Sequence, residues 1–123
     1  MEIRIKATEY QLTPEIAAYL DERLAHIEKM LSEDAVYARC EVELGRAAGR
    51  PRHGSNIWFA EIQITHPGGH TIRATNNSES INGAIDDVKE EIERQLRREK
   101  QVHIRLMRKS GAMAKRFLKF GGK

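Results

Sequence analysis

The chain has a single cysteine, Cys40, and no long apolar run. One cysteine excludes a disulfide framework within the chain. Nothing approaches the roughly 20 apolar residues that a membrane-spanning helix needs, and residues 1–6 alternate charged and apolar side chains instead of forming the core of a signal peptide. With 123 residues, 40% of them hydrophobic, there is enough chain for one compact domain. We therefore expect a soluble, single-domain, cytoplasmic protein with no membrane partner.

Charge is distributed unevenly along the sequence. Residues 1–93 contain 10 lysines and arginines against 17 acids, whereas residues 94–123 contain 11 against the single acid Glu99. The net charge of +3 therefore conceals an acidic body with a strongly basic end. This distribution is typical of proteins that bind a polyanion, although a solvated helix end followed by a basic tail would give the same counts.

The first third of the sequence predicts a strand followed by an amphipathic helix. Ile3, Ile5 and Ala7 alternate with charged residues, which is the period of a strand. Thr13 and Pro14 form a typical helix start, with a capping side chain and a proline in the first turn. The apolar stripe that follows has spacings of three and four residues and consists of Ile16, Leu20, Leu24, Ile27 and Leu31.

Alternating apolar residues in the middle of the chain predict three further strands. They cover residues 36–44, 58–64 and 72–74, and their inward-facing sets include Cys40 and Trp58. Residues 45–54 are rich in glycine and arginine and are typical of a loop, and residues 66–70 have the composition of a turn.

A second amphipathic helix follows the asparagine and serine residues at 76–78. Its apolar stripe consists of Ile81, Ile85, Val88, Ile92 and Leu96. Beyond Lys100 the helical spacing of apolar residues weakens, and the sequence is compatible with either a continued helix or an extended segment. The order strand, helix, three strands, helix predicts an α+β fold: a β-α-β-β-β-α two-layer sandwich, with a four-stranded sheet and two helices on one face.

Few residues have the arrangement that catalysis or metal binding requires. Cys40 belongs to the inward set of its strand, which indicates a buried and unreactive thiol. His66 and His70 flank a turn and supply at most half of a zinc site. The sequence contains no nucleophile elbow, catalytic triad or phosphate-binding glycine motif. We predict no enzymatic activity, no metal and no cofactor.

A series of cations on and after the second helix is the strongest functional signal. The first four lie within two turns and are Arg94, Arg97, Arg98 and Lys100. The series continues with Arg105, Arg108 and Lys109. On the first helix, three residues recur at every third position: Arg23, His26 and Lys29. If the helices pack side by side, we expect these residues to form one basic surface that binds RNA phosphates with salt-dependent affinity.

Three parts of the sequence carry a family resemblance. Residues 80–86, SINGAID, resemble a segment of an acid, methionine or leucine, tyrosine, two small residues, isoleucine and aspartate. Residues 92–100, IERQLRREK, resemble a helix ending of arginine, glutamine, leucine and basic residues, and residues 3–5, 13–14 and 23–29 also fit. These patterns are those of the ribosome hibernation promoting factors, also called ribosome-associated translation inhibitors, and the resemblance covers residues 1–101.

The resemblance implies a fold related to double-stranded-RNA-binding domains, with binding to the small ribosomal subunit and its rRNA in the decoding region. The protein would occupy the tRNA and mRNA paths and so inhibit translation under stress or in stationary phase. The rRNA-facing residues implied by position are Arg23, Lys29, Lys89, Arg94, Arg97, Arg98 and Lys100. Asn82 stands where the family has tyrosine.

We expect residues 1–101 to form the ribosome-binding domain and residues 102–123 to form a basic extension that is flexible when free. The extension is too short for the C-terminal domain with which long family members pair ribosomes. Its last part, residues 111–123, either enters an RNA channel or stays a solvated tail.

The sequence also bears on the oligomeric state and on the class of partner. We expect a monomer when free, because one sheet uses the apolar stripes of both helices. Two other functions stay open: a general structured-RNA-binding module, and a protein–protein adaptor that modulates transcription through the acidic body or the open sheet face, where Tyr37 and Phe59 are expected to point outward.

Overall fold

The computed structural model describes the backbone of residues 1–47, 57–66 and 70–109, and the side chains of these residues as far as Gln101. The elements in chain order are β1 (Glu2–Thr8), α1 (Pro14–Leu31), a 3-10 helix (Ser32–Tyr37), β2 (Arg39–Arg46), β3 (Trp58–Thr65), β4 (Thr71–Ser78) and α2 (Ile81–Lys109). Most of the predicted 45–54 loop lies outside the described residues, as do residues 67–69 and the predicted tail from residue 110 onward.

The four strands form one sheet in the order β1-β2-β3-β4. β1 and β2 are parallel, which requires a crossover between them, and α1 provides it. The other two pairs are antiparallel. The inward-facing residues of β2, β3 and β4 form one buried cluster with residues of both helices. Both helices therefore cover the same face of the sheet, and the predicted two-layer α+β sandwich is confirmed.

The start of α1 follows from its sequence. The Thr13 hydroxyl accepts a hydrogen bond from the Ile16 N–H at 3.2 Å, which satisfies one of the unpaired donors of the first turn. Pro14 occupies the first helical position, where its missing N–H costs nothing. The predicted stripe is buried at Leu20, Leu24, Ile27 and Leu31. At the other end, Ser32 has a φ of 54° and turns the chain out of the helix.

Aliphatic side chains fill the space between the sheet and the helices. The largest fully buried side chains are Leu20, Leu24, Ile27, Leu44, Ile62, Ile64, Ile85, Ile92 and Val88. Cys40 is buried among them, and this burial raises the pKa of its thiol to about 12. The thiol is therefore protonated at neutral pH, as expected for an unreactive core cysteine.

The strand predicted to begin at Val36 begins instead at Arg39. Residues 32–37 form a 3-10 helix, and Val36 and Tyr37 are 76% and 74% exposed. The alternation of apolar residues was misleading here because the chain must first turn back from α1 toward a strand parallel to β1. A 3-10 turn repeats every three residues, so alternate positions do not share one face.

β1 is the predicted first strand, but it contributes little to the core. Six of its seven residues are exposed, including Ile3 and Ile5 at 40% and 38%. These two residues lie opposite the buried Cys40 and Val42 of β2, so they are on the helix side of the sheet. The other edge strand, β4, lies under α2 and its Ile72 and Ala74 are buried, so the exposure of Ile3 and Ile5 follows from weaker helix cover over β1.

α2 resolves the choice left open beyond Lys100, since its backbone stays helical to Lys109. A helix of 29 residues is about 43 Å long at 1.5 Å per residue. The eight-residue strands beside it extend about 26 Å. Among the described side chains, Leu96 is the last buried residue of α2. The C-terminal part of the helix therefore projects beyond the sheet.

Candidate nucleic-acid interface

α2 leaves the body at one defined end of the sheet. There, Arg39 at the start of β2, Thr65 at the end of β3 and Thr71 at the start of β4 lie side by side in the register. The carboxylate of Glu99 on α2 contacts the ring Nε2 of His70, which directly precedes β4. We call this the exit end, because the remaining residues of α2 continue past it.

In the half of α2 that packs on the sheet, an acid binds the cation of the neighbouring helix. Asp86 accepts a hydrogen bond from the Tyr19 hydroxyl at 2.6 Å and another from the Arg23 Nε at 3.1 Å. The Arg23 guanidinium also lies over the Tyr19 ring, 3.4 Å from its centroid. The hydrogen bond to Asp86 raises the pKa of Tyr19. These contacts join α1 to α2 and leave Arg23 with its charge already compensated.

The first two cations of α2 are paired within the helix. The Lys89 ammonium is 3.4 Å from the carboxylate of Glu93, one turn further along. Arg94 forms an ion pair with Glu91. The groove between the helices contains both signs of charge and is lined by Glu22, Arg23, His26, Asp86, Lys89 and Glu90. The two helices do pack side by side, but acids interrupt the basic surface that the sequence suggested.

The cations nearer the exit end have different surroundings. Arg97, Arg98 and Lys100 are exposed, and none of them makes an ion pair within the part of the chain that the structure describes. Lys29, in the last turn of α1, is also exposed and makes no ion pair with a described residue. Arg105, Arg108 and Lys109 lie on the helical backbone of α2, with side chains outside the described set. The available positive charge is therefore concentrated where α2 leaves the sheet.

Sequence reasoning missed one cation of this region. Arg39 begins β2 and is exposed at the exit end. Its position depends on the sheet register, which places it beside Thr65 and so at the same end as Glu99. No sequence signal could have indicated this, because the register joins residues that are far apart in the chain.

The open face of the sheet has balanced charge. In the register, Glu2 lies opposite Arg39, Arg4 opposite Glu41, and Lys6 opposite Glu43. Opposite charges in facing positions stabilise a sheet but leave little net field for a polyanion. Tyr37, expected on this face, lies instead in the 3-10 helix, because β2 begins two residues later.

Trp58 packs in the fold, and the two turn histidines, His66 and His70, lie near each other without forming part of a metal site in the described residues. Trp58 is half-buried, packs against the core and makes an edge-to-face contact with Tyr10, with ring centroids 5.6 Å apart. His66 and His70 have ring centroids 5.8 Å apart. Within the described residues, no group of three or more acids, histidines or cysteines is arranged to hold a metal ion. None of the described helices is long and apolar enough to cross a membrane.

Two solved structures share this fold. The N-terminal domain of Protein Y from Thermus thermophilus has 24% sequence identity and a TM-score of 0.63, covering 80% of this chain and 98% of that chain. A ribosomal subunit interface protein from Coxiella burnetii has 15% identity and a TM-score of 0.65, covering 82% of this chain and 99% of that chain. At these identities the likeness establishes the fold.

Family assignment comes from the sequence itself. No curated protein matches the chain. A family profile described as sigma 54 modulation protein / S30EA ribosomal protein matches residues 3–103, well over half of the chain. The family resemblance predicted from the sequence is thereby confirmed, and the chain belongs to the sigma 54 modulation protein / S30EA ribosomal protein family.

Proposed function

We propose that this chain is a ribosome hibernation factor that binds small-subunit rRNA in the decoding region and blocks the binding of tRNA and mRNA. Membership of a ribosome-associated family supports the coarser part of this proposal, namely modulation of the ribosome in the cytoplasm by a family not known for catalysis. Two structures with the same fold are a Protein Y domain and a ribosomal subunit interface protein.

One observation carries the choice of binding surface. Arg97, Arg98 and Lys100 are exposed on α2 and make no ion pair with any described residue. Cations without a protein partner bind phosphates without first breaking an ion pair, and they release condensed counterions from the RNA as they bind. The mechanism is steric: a domain held on the rRNA by these contacts occupies space that tRNA and mRNA require.

Co-sedimentation with purified small ribosomal subunits tests the proposal. Wild-type protein is expected to pellet with the subunits at low salt and to be released as salt increases. The variant Arg97→Glu/Arg98→Glu is expected to remain in the supernatant. Its matched control is Arg4→Glu/Lys6→Glu, which makes the same change in charge on the open sheet face and should bind like wild type.

The outcomes separate the alternatives. Wild-type protein that stays in the supernatant at low salt would overturn ribosome binding. Binding that both double variants lose equally would show dependence on net charge alone, without a defined surface. A general structured-RNA-binding module would be indicated if excess double-stranded RNA without ribosomal sequence displaced the protein from the subunits. A toeprint of mRNA and initiator tRNA on the subunit then tests occlusion, since bound protein should abolish it.

A further inference from the structure

The most exposed large hydrophobic side chains in the described part of the chain lie next to each other. Val36 is 76% exposed and Tyr37 is 74% exposed, at the end of the 3-10 helix. Isolated exposed apolar residues are common on protein surfaces, but an adjacent pair at the tip of an ordered turn is a candidate contact. We call these two residues the apolar tip.

The apolar tip is held from both sides by buried alanines. Ala35 and Ala38 are 8% and 3% exposed, and the Ala38 N–H donates to the Ala35 carbonyl at 3.2 Å. The Ala38 carbonyl in turn accepts a hydrogen bond from the Glu2 N–H at 3.0 Å, at the start of β1. Because the backbone is fixed on both sides, binding of the exposed Tyr37 ring costs the rotamer freedom of one side chain and no ordering of the backbone.

The apolar tip lies at the exit end, beside the available positive charge. Tyr37 precedes Arg39 by two residues, and the register places Arg39 level with Thr65 and Thr71. β2 and β4 are two strands apart, so about 10 Å separates them across the sheet. α2 leaves the body beside β4, where Glu99 contacts His70. A single-stranded segment of RNA could therefore contact the exposed cations of α2 and the apolar tip together.

Negative charge near the apolar tip disfavours the phosphate of a nucleotide and leaves the base as the part that can bind there. Glu33 and Asp34 lie in the same 3-10 helix and repel a phosphate. The uncharged part of a nucleotide is its base, and an aromatic ring is the side chain on which an unpaired base stacks. Phosphates are favoured instead at the exposed cations of α2.

We propose that Tyr37 stacks on an unpaired rRNA base at the exit end, while the cations of α2 hold the adjoining phosphates. This inference rests on the proposed function. It adds a stacking contact, made by Tyr37, to the electrostatic contacts made by the cations of α2. It accounts for a large aromatic side chain kept in water by a rigid turn.

Equilibrium binding of fluorescently labelled protein to small ribosomal subunits, over a series of salt concentrations, tests the inference. Tyr37→Ala is expected to bind about tenfold more weakly at every salt concentration, because stacking is lost but no phosphate contact is removed. The slope of log K against log salt should be unchanged. Arg97→Gln should make that slope shallower by about one, because one phosphate contact is lost. Tyr37→Phe retains the ring and should bind within about twofold of wild type.

Tyr37→Leu distinguishes an RNA base from a ribosomal protein as the partner. A leucine keeps an apolar contact with a protein but has no flat ring for a base, so we expect it to bind as weakly as Tyr37→Ala. Wild-type affinity in Tyr37→Leu would assign the apolar tip to a protein and overturn the inference. Wild-type affinity in Tyr37→Ala would also overturn it, while leaving the proposed function intact. Absence of wild-type binding would overturn both.

Discussion

The cations on the two parts of α2 have different surroundings. On the part that packs against the sheet, Lys89 pairs with Glu93 and Arg94 pairs with Glu91. Toward the exit end, Arg97, Arg98 and Lys100 are exposed, with no ion pair among the described residues. The comparison shows that a count of basic residues does not measure the charge available to a polyanion, because acids one turn away compensate part of it.

The same comparison applies to packing. Ile81, Ala84, Ile85, Val88 and Ile92 are buried on the first part of the helix, and Leu96 is the last buried residue that the structure describes there. The first part therefore stabilises the fold, whereas the part beyond Leu96 is available for binding. One helix has both parts because it is longer than the sheet that it covers.

The two parts of α2 should differ most in their contribution to stability. Ile92→Ala removes a side chain that is 0% exposed, and we expect the free energy of unfolding to fall by about 2–5 kcal/mol. Arg97→Ala, five residues further along, should change it by no more than about 0.5 kcal/mol. Urea unfolding followed by circular dichroism measures both values. Equal losses in the two variants would show that the C-terminal part of α2 also stabilises the body.

The next effect concerns binding. Arg97→Gln/Arg98→Gln is expected to weaken binding to small ribosomal subunits by about tenfold or more and to make the salt dependence shallower by about two. Arg23→Gln/Lys89→Gln removes the same charge from sites that Asp86 and Glu93 already compensate, so its loss should be about threefold or less. Titration of labelled protein with subunits at several salt concentrations gives both numbers.

Asp86→Asn tests whether compensation by Asp86 is the reason that loss of Arg23 has a small effect. Without the carboxylate, Arg23 is no longer compensated, and Arg23→Gln in the Asp86→Asn background should then cost more affinity than in wild type. If Arg23→Gln costs the same in both backgrounds, local ion pairing does not decide which cations bind. A larger loss for Arg23→Gln/Lys89→Gln than for Arg97→Gln/Arg98→Gln would place the binding surface on the groove between the helices.

The smallest expected effect is a pH dependence at the contact between the helices. The hydrogen bond from Tyr19 to Asp86 raises the pKa of Tyr19 in the folded state. The stabilisation is therefore fully present below about pH 10, the ordinary pKa of tyrosine, and is lost as pH rises through the higher folded value. Unfolding free energies of wild type and Tyr19→Phe at pH 8 and pH 11 test this. Wild type should lose more stability over that interval, and parallel losses would contradict the assignment.

Much of the fold follows from local sequence patterns. Leu20, Leu24, Ile27 and Leu31 repeat with the helical period and are buried as predicted, and Thr13 caps the helix that they form. The same holds for the stripe from Ile81 to Leu96 and for the alternating residues of β2, β3 and β4. These predictions were correct because periodicity and capping depend on residues within a few positions of one another.

Prediction was wrong where the path of the chain overrode the local pattern. Val36 alternates correctly with Ala38 and Cys40, yet it lies in a 3-10 helix, because the crossover from α1 needs a turn at that point. Ile3 and Ile5 have the pattern of an inward strand face, yet they are well exposed, because the helices cover β1 less than they cover β3 and β4. Alternation along a strand does not indicate which part of the sheet the helices will cover.

Patterns within the sequence are enough to predict the two helical stripes, the alternating strands, the basic end and the family of this protein. The spacing of one turn along α2 already indicates that Lys89 pairs with Glu93 and Arg94 with Glu91. Only the tertiary structure decided that Asp86 of α2 compensates Arg23 of α1, across 63 positions of chain. It also decided that Arg39 and the apolar tip lie at the end where α2 leaves the body. The physical reason is that charge compensation and surface continuity depend on distances in space, whereas sequence patterns report only on neighbours along the chain.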